Sequence, residues 1–300
     1  MIGTYLIRRL WKLGAILTVI DKKAKPNNLP ESVTYIQSNL VVTAIEDVIS
    51  ALQPDVIFHL AATFERSEET SSFWGSNYQN NVRVTHRLLS AMSKQESEGR
   101  FVFASSYLVY DPNLYLHNDA KALATPIRED SQKDPRNLCG SAKFFGEKEV
   151  QFYSETHPDV QAICARIFRV YGEGSRDVIS RWTRSALRNK PITLFQKENE
   201  FDYIFADDVA TALMKLASSP SKEMYVNIGK GEPTSIDRVV QSLSNHFGNL
   251  QVKETPVEGR YEKSYADISR LKNITGWQPS ISIDEGISKI VKHEREATMS

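Results

Sequence analysis

Only two cysteines, Cys139 and Cys164, occur in the 300 residues of this chain. Their spacing suits neither a metal-ligand cluster nor a disulfide framework, and it favours a reducing, cytoplasmic setting. Neither charge is in excess, since Lys+Arg and Asp+Glu number 37 each. That balance removes the global signature of a nucleic-acid or anionic-membrane partner. No apolar stretch is long enough to span a bilayer, and no internal repeat or low-complexity linker is present. Acids are missing before Asp21, while Arg8, Arg9 and Lys12 are there. This superficially resembles an organellar targeting helix. A helix over residues 4–13, stopped at Gly14 and followed by a buried strand over 15–20, accounts for it better.

Apolar residues at 41% and charged ones at 25% are ordinary for a globular protein and give ample core for one large α/β domain or two closely packed ones. Apolar runs predict strands over 33–36, 55–60, 101–104 and 160–167. Amphipathic segments predict helices over 42–52, 77–92 and 137–157. Such alternation implies a mostly parallel sheet covered on both faces. Past Tyr171-Gly172 the pattern loosens, with helices predicted over 178–188, 207–217, 236–247 and 283–294 and strands over 191–195 and 201–205. His59, inside a buried run, reads as a packed core histidine.

The segment Cys139-Gly-Ser-Ala-Lys143 carries the chemistry. Side chains four apart on a helix share a face, and a serine pair ends the preceding strand, Phe101-Val-Phe-Ala-Ser-Ser106. This frame resembles the extended short-chain dehydrogenase/reductases, the NAD-dependent sugar epimerase/dehydratase superfamily. There a Tyr-x-x-x-Lys pair stands in this context, with Ser or Thr arriving from the strand. The resemblance covers nearly the whole chain. Residues 2–10 look like the helix after the family's glycine turn, with Gly3 as its last glycine. Val19-Ile20-Asp21 resembles the end of the second strand, and Pro54-Asp-Val-Ile-Phe-His-Leu-Ala-Ala62 the fourth. Asn81-Val82, Asp207-Asp208-Val209, Asn227-Ile228-Gly229, Tyr265-Ala266-Asp267 and Gly276-Trp277-Gln278-Pro279 match further landmarks in order.

The resemblance implies an α/β fold, a Rossmann-type doubly wound parallel sheet with a smaller C-terminal substrate domain. Residues 1–168 would bind NAD, and residues 169–300 would mainly bind substrate, with segments returning to the sheet. Cofactor contacts would come from Gly3, Asp21, Leu60, Ala61, Ala62, Asn81 and Lys143, the acid at Asp21 favouring NAD over NADP; as the alternative, Asp21 merely ends a strand. Ser106, Cys139 and Lys143 would form the catalytic group, and Thr63, Tyr107, Arg169 and Arg260 would meet substrate. The implied function is an NAD-dependent epimerase or reductase of a sugar, a nucleotide-linked one, in a homodimer built on helices 77–92 and 137–157. The alternative is a family member kept for binding or scaffolding.

Three departures from the family pattern matter. About ten residues carrying a central strand and two glycines are missing ahead of Gly3. Either Met1 is an internal methionine, or cofactor binding has been lost. Next, the family's tyrosine is Cys139. A thiol beside Lys143 can ionise below its usual pKa of about 8.5, but it falls short of where a phenol would reach, so proton transfer needs a water or a shifted substrate. Alternatively Tyr107 or Tyr110 moves the proton while Cys139 fills space, or the site is chemically weak. Finally, Tyr107 and Leu108 replace the acidic pair of 4,6-dehydratases, which disfavours dehydration. Phe201 and Val257 stand where arginines hold a diphosphate, with Arg260 close to the latter. Arg169 replaces an asparagine, as a new anion contact or as the partner of a structural carboxylate.

Overall fold

Strands rich in Val, Ile, Phe and Ala on both sides need cover on both sides, and this requirement organises the fold. The computed structural model describes residues 1–64, 69–94, 99–158, 160–255 and 257–299. Helix α1 (Ile2–Lys12) is followed by strands β1 (Thr18–Asp21) and β2 (Thr34–Gln37), helix α2 (Ile45–Leu52) and strand β3 (Val56–His59). Helices α3 (Ser71–Asn77) and α4 (Val84–Met92) are joined by a π-helical turn, Tyr78–Arg83. Strands β4 (Arg100–Ser106), β5 (Leu116–His117) and β6 (Thr125–Ile127) precede the long helix α5 (Leu138–Thr156).

Strands β7 (Gln161–Ile167) and β8 (Arg169–Tyr171), helix α6 (Val178–Leu187) and strands β9 (Ile192–Phe195), β10 (Glu200–Phe201) and β11 (Tyr203–Phe205) come next. Helix α7 (Ala206–Ala217), strands β12 (Tyr225–Ile228) and β13 (Thr234–Ser235) and helix α8 (Ile236–Phe247) follow. The chain closes with β14 (Val252–Thr255), β15 (Tyr261–Glu262), β16 (Ser264–Ala266), α9 (Ser269–Thr275) and α10 (Ile283–Met299). Among the described residues no helix is long and apolar enough to cross a membrane.

The main sheet is parallel, in the order β12-β7-β4-β3. Successive residues of β4 alternate between its faces. Phe101 and Phe103 pack with α2, α4 and α5 through Ile45, Leu88 and Val150. Val102 points the other way, to Val209, Leu213 and Leu216 of α7 and Leu271 of α9. A third core joins Tyr171, Trp182, Ile192, Phe205, Val239 and Ile290 from the later elements. Strands β1 and β2 form a separate parallel pair, and among the described residues no strand links it to β3.

Two predicted elements come out divided. The single strand over 201–205 breaks at Asp202. Its buried carboxylate accepts hydrogen bonds from the backbone N–H groups of Lys230, Gly231 and Ala266. With that residue turned inward, β10 pairs with β13 while β11 pairs with β8. Burial pushes the Asp202 carboxyl up to about 6 against those three donors. The single helix over 77–92 is interrupted by the π-helical turn, a feature that accommodates an extra residue in the helical path.

Candidate active site

In a doubly wound sheet the ligand crevice lies outside the carboxyl ends of the strands, where β3, β4 and β7 deliver Leu60, Ser106 and Phe168. Ser106 is the last residue of β4, and its Oγ accepts the Leu108 N–H at 3.2 Å, capping a single 3₁₀ turn, Tyr107–Val109. The first turn of α5 lies against that cap. A Cβ on Gly140 would sit 2.5 Å from the Leu108 carbonyl oxygen. Replacing a helical glycine by alanine ordinarily stabilises by about 1 kcal/mol, but overpacking against backbone costs about 1–3 kcal/mol. Gly140→Ala is therefore expected to lower the urea midpoint, and a raised midpoint would show that the turn can yield.

Two side chains satisfy the N–H groups at the start of α5. Asn137 Oδ1 accepts from Gly140 N at 2.8 Å. Glu69 accepts from Leu138 N at 2.7 Å and Cys139 N at 3.2 Å, bringing negative charge to the positive end of the helix dipole. One turn on, Lys143 is buried, its ammonium 4.6 Å from the centroid of the Phe103 ring. Among the described residues no carboxylate lies within ion-pair distance of it. Burial pulls its pKa down to about 8, against Cys139, Cys164 and Glu147, which pull the other way. A ring face compensates an ammonium only in part, so this lysine marks a site.

The loop after β3 is fastened to the same corner. Asn81 Oδ1 accepts the Thr63 N–H at 2.7 Å, and its Nδ2 donates to the Thr63 carbonyl at 2.9 Å and to Asn77 Oδ1 at 2.7 Å. Cys139 Sγ donates to that same Thr63 carbonyl at 3.7 Å. Leu60, Ala61 and Ala62 are thereby held between the end of β3 and α5. On the α1 side, a Cβ on Gly3 would be 3.9 Å from Leu60 Cδ1, so the helix and this loop are in contact. His59 bonds Thr85 Oγ1 at 2.9 Å and stacks on Phe103. Burial, aided by Lys143, holds its pKa near 3, so it stays a neutral core residue.

The other expected residues are engaged by partners of their own. Asp21 ends β1 exposed, its carboxylate accepting only the Lys23 N–H among the described residues. Arg260 is exposed and donates to Asn113 Oδ1 at 2.9 Å. Arg169 takes the carboxylate alternative, pairing with Glu262 at 2.9 Å. Tyr107 donates to the same carboxylate at 3.1 Å. Tyr110 points away from the crevice, donating to Asn227 Oδ1 at 2.6 Å and accepting from Arg166 at 3.1 Å.

Sequence reasoning missed what holds this corner from behind. Glu147 is buried one turn beyond Lys143. It accepts from Ser105 Oγ at 2.6 Å and from Arg166 at 2.9 and 2.7 Å. It thus couples the helix that carries Lys143 to the strand that ends in Ser106. The available signal was an acid four residues after Lys143, on the face already assigned to the interior.

Residues 1–229 match the model of the NAD dependent epimerase/dehydratase family. The chain belongs to this family. Among its relatives is a putative UDP-glucose 4-epimerase of Methanocaldococcus jannaschii, 27% identical, with 97% of this chain and 94% of that protein covered. Another is the dTDP-4-dehydro-6-deoxyglucose reductase of Escherichia coli, 24% identical over 98% and 94%. The fold is shared with the UDP-glucuronic acid 4-epimerase of Bacillus cereus crystallised with NAD, at a TM-score of 0.84 and 22% identity, covering 99% and 96% of the two chains. NAD, the family's cofactor, fits the residues present. The buried Lys143 ammonium, without a carboxylate, needs oxygen ligands of the kind ribose hydroxyls provide.

Proposed function

We propose that this family member is an NAD-dependent epimerase or reductase acting at a carbinol of a nucleotide-linked sugar. The observation that carries the reading is the carboxylate-free, buried Lys143, one helical turn from Cys139 and beside the strand that ends in Ser106. Residues 1–168 would hold the cofactor, with Gly3, Leu60, Ala61, Ala62, Asn81 and Lys143 around it and Asp21 toward the adenosine ribose. Residues 169–300 would mainly meet the sugar nucleotide, with Thr63 and Tyr107 contributing from the first part. When bound, NAD supplies the hydride acceptor. Ser106 Oγ orients the reacting hydroxyl, and Lys143 holds ribose hydroxyls while its charge favours the deprotonated form of a nearby acid. Cys139 passes the proton through a water, because its thiol is shorter than a phenol. Tyr107 is a poor substitute: burial pushes its hydroxyl up to about 12 and Glu262 engages it. The inward bonds of Tyr110 remove it as well.

Exposed aromatic side chains, Trp74 on α3, Tyr78 in the π-helical turn before α4, and Phe145 and Phe152 on α5, support a homodimer through the segment of residues 77–92 and its flank together with α5. Light scattering reads that state directly. The function itself is tested by calorimetric titration of the full chain with NAD and by hydride transfer with UDP-sugars, for the parent, Cys139→Ala and Cys139→Tyr. NAD should bind, and Cys139→Ala should slow turnover about 100-fold, as loss of a proton-transfer group does. Equal rates for all three would remove Cys139 from the chemistry. No NAD binding would overturn the reading.

A further inference from the structure

Beside Ser106 lies a cluster that the cofactor reading leaves unused. Glu262, from β15, receives three donors: Arg169 at 2.9 Å, Arg136 at 3.0 Å and the Tyr107 hydroxyl at 3.1 Å. Each element reaches the crevice from a different direction. Tyr107 directly follows Ser106, Arg169 begins β8 just past the end of β7, and Arg136 precedes the α5 cap. Burial works against the charge on Glu262, but the two guanidiniums outweigh it and hold its carboxyl below the usual range. Two cations thus share one anion, and the cluster keeps a net single positive charge.

Its donors are also in surplus. A guanidinium offers five N–H groups, yet among the described residues Arg136 and Arg169 each make one hydrogen bond, both to Glu262. Arg169 Nε is buried with no partner. The remaining neighbours are ring faces, which accept no strong hydrogen bond: Phe201 lies 3.7 Å from the Arg169 guanidinium and Tyr115 5.5 Å from that of Arg136. The Glu262 side chain is 9% exposed, whereas those of Arg169 and Arg136 are 33% and 28% exposed. Solvent, and hence a ligand, reaches the cations but hardly reaches the anion.

We infer that Arg136 and Arg169 form a subsite for a carboxylate on the sugar ring, so that the preferred substrate is a nucleotide-linked uronic acid. The inference rests on the proposed function. A carboxylate matches the planar fork of a guanidinium and the single net charge, whereas a diphosphate exceeds that charge. Tyr107, which holds Glu262, directly follows Ser106 in the chain, and this assigns the subsite to the hexose end, since Ser106 faces the reacting carbinol in that reading.

Calorimetry with UDP-glucuronate and UDP-glucose, each with and without NAD, tests this on the full chain. The parent should bind UDP-glucuronate about 10- to 100-fold more tightly than UDP-glucose, the range of one charge-assisted pair. Arg136→Gln and Arg169→Gln should erase the difference by weakening only the acid sugar. Glu262→Gln, which frees both guanidiniums, should widen it. Equal affinity for the two sugars, equal weakening of both by the arginine variants, or binding of neither would overturn the subsite. The NAD titration is read separately, so failure of cofactor binding is distinguishable from failure of this preference.

Discussion

Replacing Arg166 by methionine is expected to cost about 3–5 kcal/mol of stability, the largest effect of any single substitution considered for this fold. Arg166 is 1% exposed in the middle of the sheet layer. Its Nε and one terminal nitrogen grip Glu147, and the other terminal nitrogen donates to the Glu129 carbonyl at 2.8 Å and the Tyr110 hydroxyl at 3.1 Å. Rings of Tyr225 and Tyr110 lie 4.6 and 5.0 Å from the guanidinium. Methionine fills much of the volume but leaves the Glu147 carboxylate buried with Ser105 as its remaining hydrogen-bond donor. That uncompensated charge, not the lost attraction, sets the size of the effect. Replacing both partners removes it, so Arg166→Met with Glu147→Leu should regain most of the loss. Urea denaturation at pH 7 measures Arg166→Met, Glu147→Leu and the double variant. A single-variant loss under about 1 kcal/mol, or a double variant as unstable as the sum of the singles, contradicts this account.

The same pair marks where sequence reading ran out. Strands β3, β4 and β7 are near-continuous apolar runs, and α5 shows its face through the four-residue spacing of Cys139 and Lys143. Such local periodicities predicted most helices within a few residues. Helix α8 came out with its predicted bounds, because Ile236, Val239 and Leu243 repeat at helical spacing. Strand β12 escaped notice because Asn227 interrupts its apolar run. That residue is buried and donates to the Ile127 carbonyl at 2.9 Å, a bond no local pattern foretells.

Charge pairing was less legible still. Arg166 and Glu147 meet from adjacent elements, while Arg169 and Glu262 are separated by more than ninety residues. No periodicity connects such pairs. An arginine in place of an asparagine at position 169 suggested an anion, but only the fold shows that Glu262 supplies one, and that Arg136 competes for it. The candidate corner around Lys143 was readable as a frame of residue types. Its electrostatics, a lysine without a carboxylate in front of a pair that has one, was not.

Those electrostatics make the second large prediction run against ordinary expectation: Lys143→Met should stabilise the protein while abolishing its binding of NAD. Burial lowers the Lys143 pKa from 10.5 in the unfolded chain to about 8. Between those values the unfolded state binds more protons than the native state, so stability rises as pH climbs from about 8 to 10.5. Below pH 8 both states are protonated, and the full burden of burying an unpaired ammonium remains, on the order of 3 kcal/mol. Methionine removes that burden and with it the alkaline rise. Adding NAD should invert the order. At one thousand times its Kd a ligand stabilises the parent by about 4.1 kcal/mol, more than that burden, whereas the variant, lacking the ammonium, gains nothing. Urea midpoints at pH 7 and pH 10, with and without NAD, provide the measurement. A variant less stable than the parent at pH 7 without NAD, or one that keeps the alkaline rise, would mean that Lys143 is a satisfied core residue. A variant stabilised by NAD as much as the parent would mean that the ammonium faces something other than the cofactor.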